Sequence, residues 1–266
     1  MAHDSDPFSL ASNWPEIVRR IRARTPARLL VGHSGAAYRT ATQMDLREAH
    51  AAARDAVHAE LELEAVFGAA FVTQWRFFKV ATQVRSKDEY LLRPDLGRHF
   101  NDAARVDLLN RCSSQNQIQI AIGDGLSVPA VAAQVPSLLP LLHQEATERG
   151  WTIGQTFVIR YCRVGILNEI GELLNPQVAI LLIGERPGLA TIESLSAYMA
   201  YRPNQSQSDA DRNLISNIHS RGITPYQAAV RILNLAASMM EKGTSGCGIR
   251  ETLPELKEGQ GVPGAE

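Results

Sequence analysis

The chain has 266 residues, of which 45% are hydrophobic and 21% charged, an ordinary globular composition with length for one large domain or two small ones, which excludes disorder or a fibrous repeat for its body. A formal net charge of -1 argues against a protein that works by neutralising nucleic-acid phosphates. Cys112, Cys162 and Cys247 are widely spaced with no CxxC pair, so neither a disulfide framework nor a structural zinc site is indicated and a reducing compartment fits best.

In chain order, VRRIRARTPAR comes first, with Arg19, Arg20, Arg22, Arg24 and Arg28 around Val18 and Ile21. It reads either as the solvated face of a short helix stopped before Pro26 or as an arm that grips a partner. QMDLREAHAAARDAVHAELELEAV follows, rich in Ala, Leu and Glu, and its stripe of Leu46, Ala49, Ala53 and Ala56 predicts a helix. His50 and His58 lack the spacing and the third ligand of a metal site, and read as surface or packing residues. From Pro94 a further helix is predicted, with Leu96, Phe100, Ala103 and Leu108 as its apolar stripe.

After Cys112 the period changes to two. QIQIAIGDG puts Ile118, Ile120 and Ile122 on one side of a strand ending at Gly123. A helix opening near Pro136 and stopping at Gly150, a strand at TFVIRYC, a short helix at GILNEIGELL and an unbroken apolar strand at QVAILLIG complete an alternation that implies parallel βαβ units. The stretch from Val178 to Tyr201 reads as that buried strand, a GERPG turn and then a helix. A last helix opens with a capping box, Thr224 at the N-cap, Pro225 at N1 and Gln227 at N3, ahead of Ala229, Ile232, Leu233, Ala236 and Met240. The glycine-rich residues 243–266 are expected to form a flexible tail.

These readings give an α/β protein organised as an arm (1–28), a mainly helical region (29–111), a parallel-sheet part (112–242) and the tail. The run Val178–Ile183 is too short to span a bilayer, and MAHDSDPFSL lacks a secretory pattern. A cytoplasmic, membrane-free protein is expected.

In an open parallel sheet, ligands bind beyond the carboxyl ends of the strands. Three turns fall there: GDGLS (Gly123 to Ser127), YCRVG (Tyr161 to Gly165) and GERPG (Gly184 to Gly188). None completes GxGxxG, since Val128 stands where the third glycine belongs, and no GxxxxGK[ST] loop occurs. Asp124 and Glu185 form either an acid/base pair or two structural groups, Asp124 capping the next helix and Glu185 pairing with Arg186 or Arg163. Cys162 reads as a small buried residue, and His219 as a loop residue that bonds either a ligand or its own backbone. No complete catalytic set emerges, so the chemistry belongs to a cofactor or to another chain.

Several long blocks in consistent order over residues 29 to 242 carry a resemblance. They are VGHSGAAYRTATQMDLREAHAAARDAV, QIQIAIGDGLS, FVIRYCRVGILNEIGELL, LLIGERPGLATIESLSAYMAYRP and DADRNLISNIHSRGITPYQAA. Together they resemble the small (light) subunit of ethanolamine ammonia-lyase, an adenosylcobalamin-dependent enzyme that converts ethanolamine to acetaldehyde and ammonia. The resemblance implies a Rossmann-like parallel sheet in the C-terminal part, preceded by the mainly helical region. It also implies a hetero-oligomer in which a large subunit holds the ethanolamine and the radical chemistry while the small subunit helps to close around the corrin. Cofactor contacts carried over by position are Val164 in YCRVG, Glu185 in GERPG and Leu214 in DRNLISN, where relatives can have cysteine. Glycines in the turn are expected to bring main chain close to the corrin rim, and Glu185 to accept from a corrin amide. His33 stands where the family commonly has arginine. No catalytic residue and no metal ligand are assigned to this chain, and packaging in a bacterial microcompartment is left open. Two other readings stand beside this one, a stand-alone Rossmann-like enzyme and a non-catalytic assembly subunit.

Overall fold

A computed structural model of the chain describes residues 15–251 apart from 26, 30 and 32. The elements before the sheet are α1 (Glu16–Ala23), the two-stranded hairpin β1 (His33–Ser34) and β2 (Ala37–Tyr38), α2 (Thr40–His58), α3 (Leu63–Phe67) and α4 (Ala69–Trp75). Helix α1 is short, stops ahead of Pro26 and has no buried residue. The Leu46–Ala49–Ala53–Ala56 stripe is the less exposed face of α2.

The rest of the chain runs β3 (Lys79–Ala81), α5 (Lys87–Leu92), α6 (Asp102–Arg111), β4 (Ile118–Gly123), α7 (Val128–Glu148), β5 (Phe157–Arg160), α8 (Ile166–Leu174), β6 (Val178–Gly184), β7 (Leu195–Tyr201), β8 (Asn213–Ile218) and α9 (Pro225–Lys242). Six strands form one sheet in the order β3-β5-β4-β6-β7-β8. The first four run parallel, while β7 and β8 are added antiparallel. The sheet is mixed, with α/β units at its centre.

Period two explains the layering. Ile118, Ile120 and Ile122 of β4 face one apolar layer with Leu138, Leu142 and Ile232, whereas Ala121 faces a second with Phe157, Ile166 and Leu181. Every residue of β4 and β6 is buried, which is why β6 reads as an unbroken apolar run. Each fully buried Ile or Leu contributes about 1.5–3 kcal/mol by leaving water.

Because β4 lies between β5 and β6, the connections leaving β4 and β5 run in opposite directions across the sheet. The carboxyl ends of β4 and β5 thus flank a switch point, where two βα turns diverge and leave a crevice.

Three predicted elements are corrected. The end of the Val178–Tyr201 stretch is strand β7, not a helix: Leu195–Tyr201 pairs along its whole length with β6, and sheet pairing outweighs the helix propensity of its Leu, Ala and Met. The helix expected from Pro94 starts at Asp102, where the Asn101 side chain accepts from the Ala104 N–H; only a single 3-10 turn, Leu96–Arg98, lies before it. The helix expected near Pro136 starts at Val128, capped by Ser127, and carries Pro136 and Pro140 in its interior. The Thr224 capping box is present as read.

Beyond α9, Ile249 is buried and Glu251 pairs with Arg231 at 2.5 Å, so the start of the expected tail packs on the body. Residues 252–266 lie outside the described residues. No helix among the described residues is long and apolar enough to cross a membrane.

Candidate functional site

The three turns named from sequence meet at the carboxyl end of the parallel strands. GDGLS and GERPG join directly, the Leu126 N–H donating to the Gly184 carbonyl at 3.1 Å. Glycine is required on both sides of this joint. A Cβ on Gly184 would lie 2.0 Å from the Ser127 carbonyl oxygen, and one on Gly125, whose φ is +59°, would lie 2.3 Å from the Gly184 carbonyl oxygen. These two glycines thus bring turn against turn, a role different from the approach to a ligand expected from sequence.

YCRVG is held from all sides. Tyr161, at φ +59° in the left-handed region, donates its N–H to Asp124 Oδ2 at 2.7 Å, and the Cys162 N–H donates to Asp124 Oδ1 at 2.8 Å. The Tyr90 hydroxyl donates to the Cys162 carbonyl at 2.8 Å, the Thr82 hydroxyl to the Tyr161 carbonyl at 3.1 Å, and the Arg163 N–H to the Gly97 carbonyl at 2.9 Å. Asp124 is fully buried, and burial pushes its pKa up to about 6 against the lowering effect of its backbone donors and Lys87. It does not cap α7; that role belongs to Ser127.

Glu185 makes no ion pair with Arg163 or Arg186 among the described residues. Its Oε1 accepts from the Ser196 hydroxyl at 2.7 Å and the Asn217 N–H at 2.9 Å, and its Oε2 from the Ser194 hydroxyl at 2.9 Å. The Asn217 donor exists because the β7–β8 register slips between Leu195 and Ala197, so that Ser216 and Asn217 oppose Ser196 and Asn217 takes φ +62°. A bulge on the added hairpin therefore fixes the carboxylate at the end of β6.

Between these elements lies an open cleft of about 390 Å³ lined by residues of all three turns and of β7 and β8. Val164, Glu185 and Leu214, the three positions singled out from sequence, all line it. Its apolar surface comes from Leu126, Val164, Ile183, Tyr198 and Leu214, and its polar groups from Arg163, Glu185, Arg186, Ser196 and Ser216. Sequence reading missed Arg163, Tyr90 and Tyr198 as lining residues. Arg163 lies over the Tyr90 ring at 4.0 Å and donates to the Tyr90 carbonyl at 2.8 Å, yet its Nε–H is buried without a partner.

The cleft lacks the parts of an acid/base or nucleophilic site. Cys162 is fully buried and its thiol is held well above its ordinary pKa, first by burial and then by Asp124. His219 turns back to its own loop: Nε2 meets Asn217 Oδ1 at 2.8 Å, Nδ1 accepts from the Arg221 N–H at 3.2 Å, and burial lowers its pKa. Among the described residues, no group of three or more His, Cys, Asp or Glu is placed to hold a metal ion. What remains is an open cleft with apolar surface beside hydrogen-bonding groups.

Against known families, residues 15–250 match the model of the ethanolamine ammonia-lyase light chain (EutC). The chain belongs to the ethanolamine ammonia-lyase light chain family. An ethanolamine ammonia-lyase small subunit of Clostridium perfringens is 39% identical over 235 residues, 88% of this chain and 78% of that protein. That of Clostridioides difficile is 38% identical over 230 residues, covering 86% and 76%. That of Clostridium acetobutylicum is 37% identical over 235 residues, covering 88% and 95%. As an ethanolamine ammonia-lyase light chain it is one subunit of an ammonia-lyase. The matched span contains every residue that lines the cleft.

Proposed function

We propose that this light chain binds one edge of adenosylcobalamin in the cleft beyond β4, β5 and β6, and that it does so at its junction with a large subunit that holds ethanolamine. The observation that carries the reading is the convergence of Val164, Glu185 and Leu214, from three separate segments, on one cleft. The central βαβ units are taken as Rossmann-like, with the cofactor at the switch point.

The residues fit such a ligand. A corrin is a broad apolar disc rimmed with amides, which need both acceptors and donors. A carboxylate offers about four acceptor sites, and three donors from this chain already occupy Glu185, which leaves room for a corrin amide N–H. Arg163 lines the same cleft, and its guanidinium is the donor type that an amide carbonyl would need. Leu126, Val164 and Leu214 offer apolar contact beside them. A cleft of 390 Å³ is at the small end of ligand sites and takes only part of a corrin, so another chain must cover the rest.

When bound, the cofactor supplies the radical that starts deamination. The work of this chain is to seat and orient its edge: Glu185 and Arg163 fix the rim, and the apolar residues exclude water from it. The test is to mix the full chain with its large subunit and cyanocobalamin, then measure corrin absorbance co-eluting on gel filtration. Retained corrin is expected; a folded complex that elutes free of corrin would overturn the proposal.

A further inference from the structure

Arg163 and Val164, which line the cleft, follow directly on a turn with an unfavourable backbone. Tyr161 sits at φ +59°, a conformation that a bulky aromatic residue avoids unless its surroundings impose it. Asp124 imposes it, receiving the two successive N–H groups of Tyr161 and Cys162 on its two oxygens at 2.7 and 2.8 Å. Two consecutive amides aimed at one carboxylate form a charge-assisted clamp, stronger than neutral bonds.

A buried carboxylate needs a counter-charge. Lys87 of α5 is the buried cation beside the same two tyrosine rings, though no ion pair joins it to Asp124 among the described residues. It is only 9% exposed, and its Nζ has no hydrogen-bond partner among the described residues. It lies 5.1 Å from the centre of the Tyr90 ring and 5.9 Å from that of Tyr161. Its strongest favourable charge interaction is with Asp124, ahead of Glu60. Burial works against the charge of this ammonium, and the carboxylates of Asp124 and Glu60 favour it.

We propose that Asp124 is a positioning residue for the cofactor cleft, holding the Tyr161–Gly165 turn so that Arg163 and Val164 face the corrin edge, with Lys87 as its buried counter-charge. The inference rests on the cofactor reading above.

A pH signature follows. The groups that face Asp124 are Lys87 and Tyr90 from α5, the Gly125 N–H from its own turn, and Tyr161 and Cys162 from the turn after β5, with Glu60, Arg160 and Arg163 bearing on Lys87 and Arg163 also on Tyr90 and Cys162. Protonating Asp124 converts one of its oxygens to a hydroxyl, a poorer acceptor, and weakens one arm of the clamp. With the carboxyl titrating at about 6, the turn should loosen between pH 7 and 5. Global stability does not fall with it through this group, because a carboxyl whose pKa is raised in the folded state favours folding at pH values below that pKa. Local loosening without global weakening separates positioning from ordinary support.

The experiment uses the full chain in complex with its large subunit. Hydrogen–deuterium exchange protection factors for residues 157–166 and for β6 are measured across pH 5 to 8, together with cyanocobalamin affinity. Asp124→Asn is expected to lower protection at Tyr161 and Cys162 about tenfold and to weaken corrin binding by a similar factor, the loss of one charge-assisted bond, with β6 protection unchanged and the pH dependence abolished. Lys87→Met is expected to move the wild-type transition to higher pH. Unchanged protection in Asp124→Asn overturns the proposal; if that variant fails to fold, an unmoved transition in Lys87→Met does so. A wild-type complex that takes up no corrin overturns the cofactor reading instead, and the exchange data still decide the clamp.

Discussion

Glu185 and Asn217 are joined across the bulge of β8, the Asn217 N–H donating to Glu185 Oε1 at 2.9 Å. The carboxylate at the lip of the cleft is therefore part of the frame as well as a candidate ligand group. Its removal has two separable effects. Glu185→Ala should cost about 1–3 kcal/mol because the Ser194 and Ser196 hydroxyls and the Asn217 N–H lose their acceptor, and it should also abolish corrin retention. Glu185→Gln, which keeps one acceptor oxygen, should recover most of the stability and less of the retention. Urea unfolding and corrin absorbance of the complex measure the two; equal recovery of both would mean that Glu185 acts through the frame alone.

The joint between the two glycine turns predicts a sharp positional contrast. Gly184→Ala forces a Cβ to 2.0 Å from the Ser127 carbonyl oxygen, whereas the nearest atom to a Cβ on Gly188 is 4.0 Å away. Gly184→Ala should destabilise by about 1–3 kcal/mol through overpacking, and Gly188→Ala should stay within about 0.5 kcal/mol of wild type. Thermal unfolding of the two variants is the check.

Leu214 is 47% exposed although it lies within a strand. Leu214→Ala should leave stability within about 0.5 kcal/mol while weakening corrin retention by the complex. Leu214→Cys, a smaller residue that keeps apolar surface, should weaken it less. A Leu214→Ala complex with unaltered affinity would remove this residue from the site.

His143 predicts a pH effect far from the cleft. It packs edge-on to Trp75 at 4.6 Å and meets the Thr156 hydroxyl at 3.3 Å, and burial pushes its pKa down to about 4. With a folded pKa below the unfolded value, its contribution is complete above about pH 6.5 and is lost as pH falls toward 4. Between pH 7 and 5 that loss is roughly 1–2 kcal/mol. His143→Gln should flatten this part of the stability profile measured by urea unfolding; an unchanged slope would assign it to other groups.

The legible parts of the sequence were those governed by local rules. Period two at Ile118, Ile120 and Ile122 marked β4, and Thr224-Pro225-Tyr226-Gln227 marked the start of α9. Ser127 followed by Pro129 is an equally good start signal for α7, and Asn101 followed by Asp102 for α6; prolines 136 and 94 drew the boundaries elsewhere because proline usually opens or ends a helix. Strand β7 carried no such signal. Its Ser, Ala, Leu and Met suit a helix, and only pairing with β6 makes Leu195–Tyr201 a strand. Resemblance to a family supplied Val164, Glu185 and Leu214, and the fold brings them to one cleft. Nothing in the local sequence could reveal the Asp124 clamp or the acceptor role of Glu185, since their donors lie far along the chain: 37 and 38 residues for Asp124, 9, 11 and 32 for Glu185.

The antiparallel hairpin closes one wall of the cleft, and Leu214 and Ser216 come from its second strand. During synthesis, the βαβ turns emerge well before β8, so a nascent chain carries an unfinished groove until Asn213–Ile218 has left the ribosome. Chains truncated ahead of that point lack one wall of the cleft, so the cleft is completed only after the parallel core has been made.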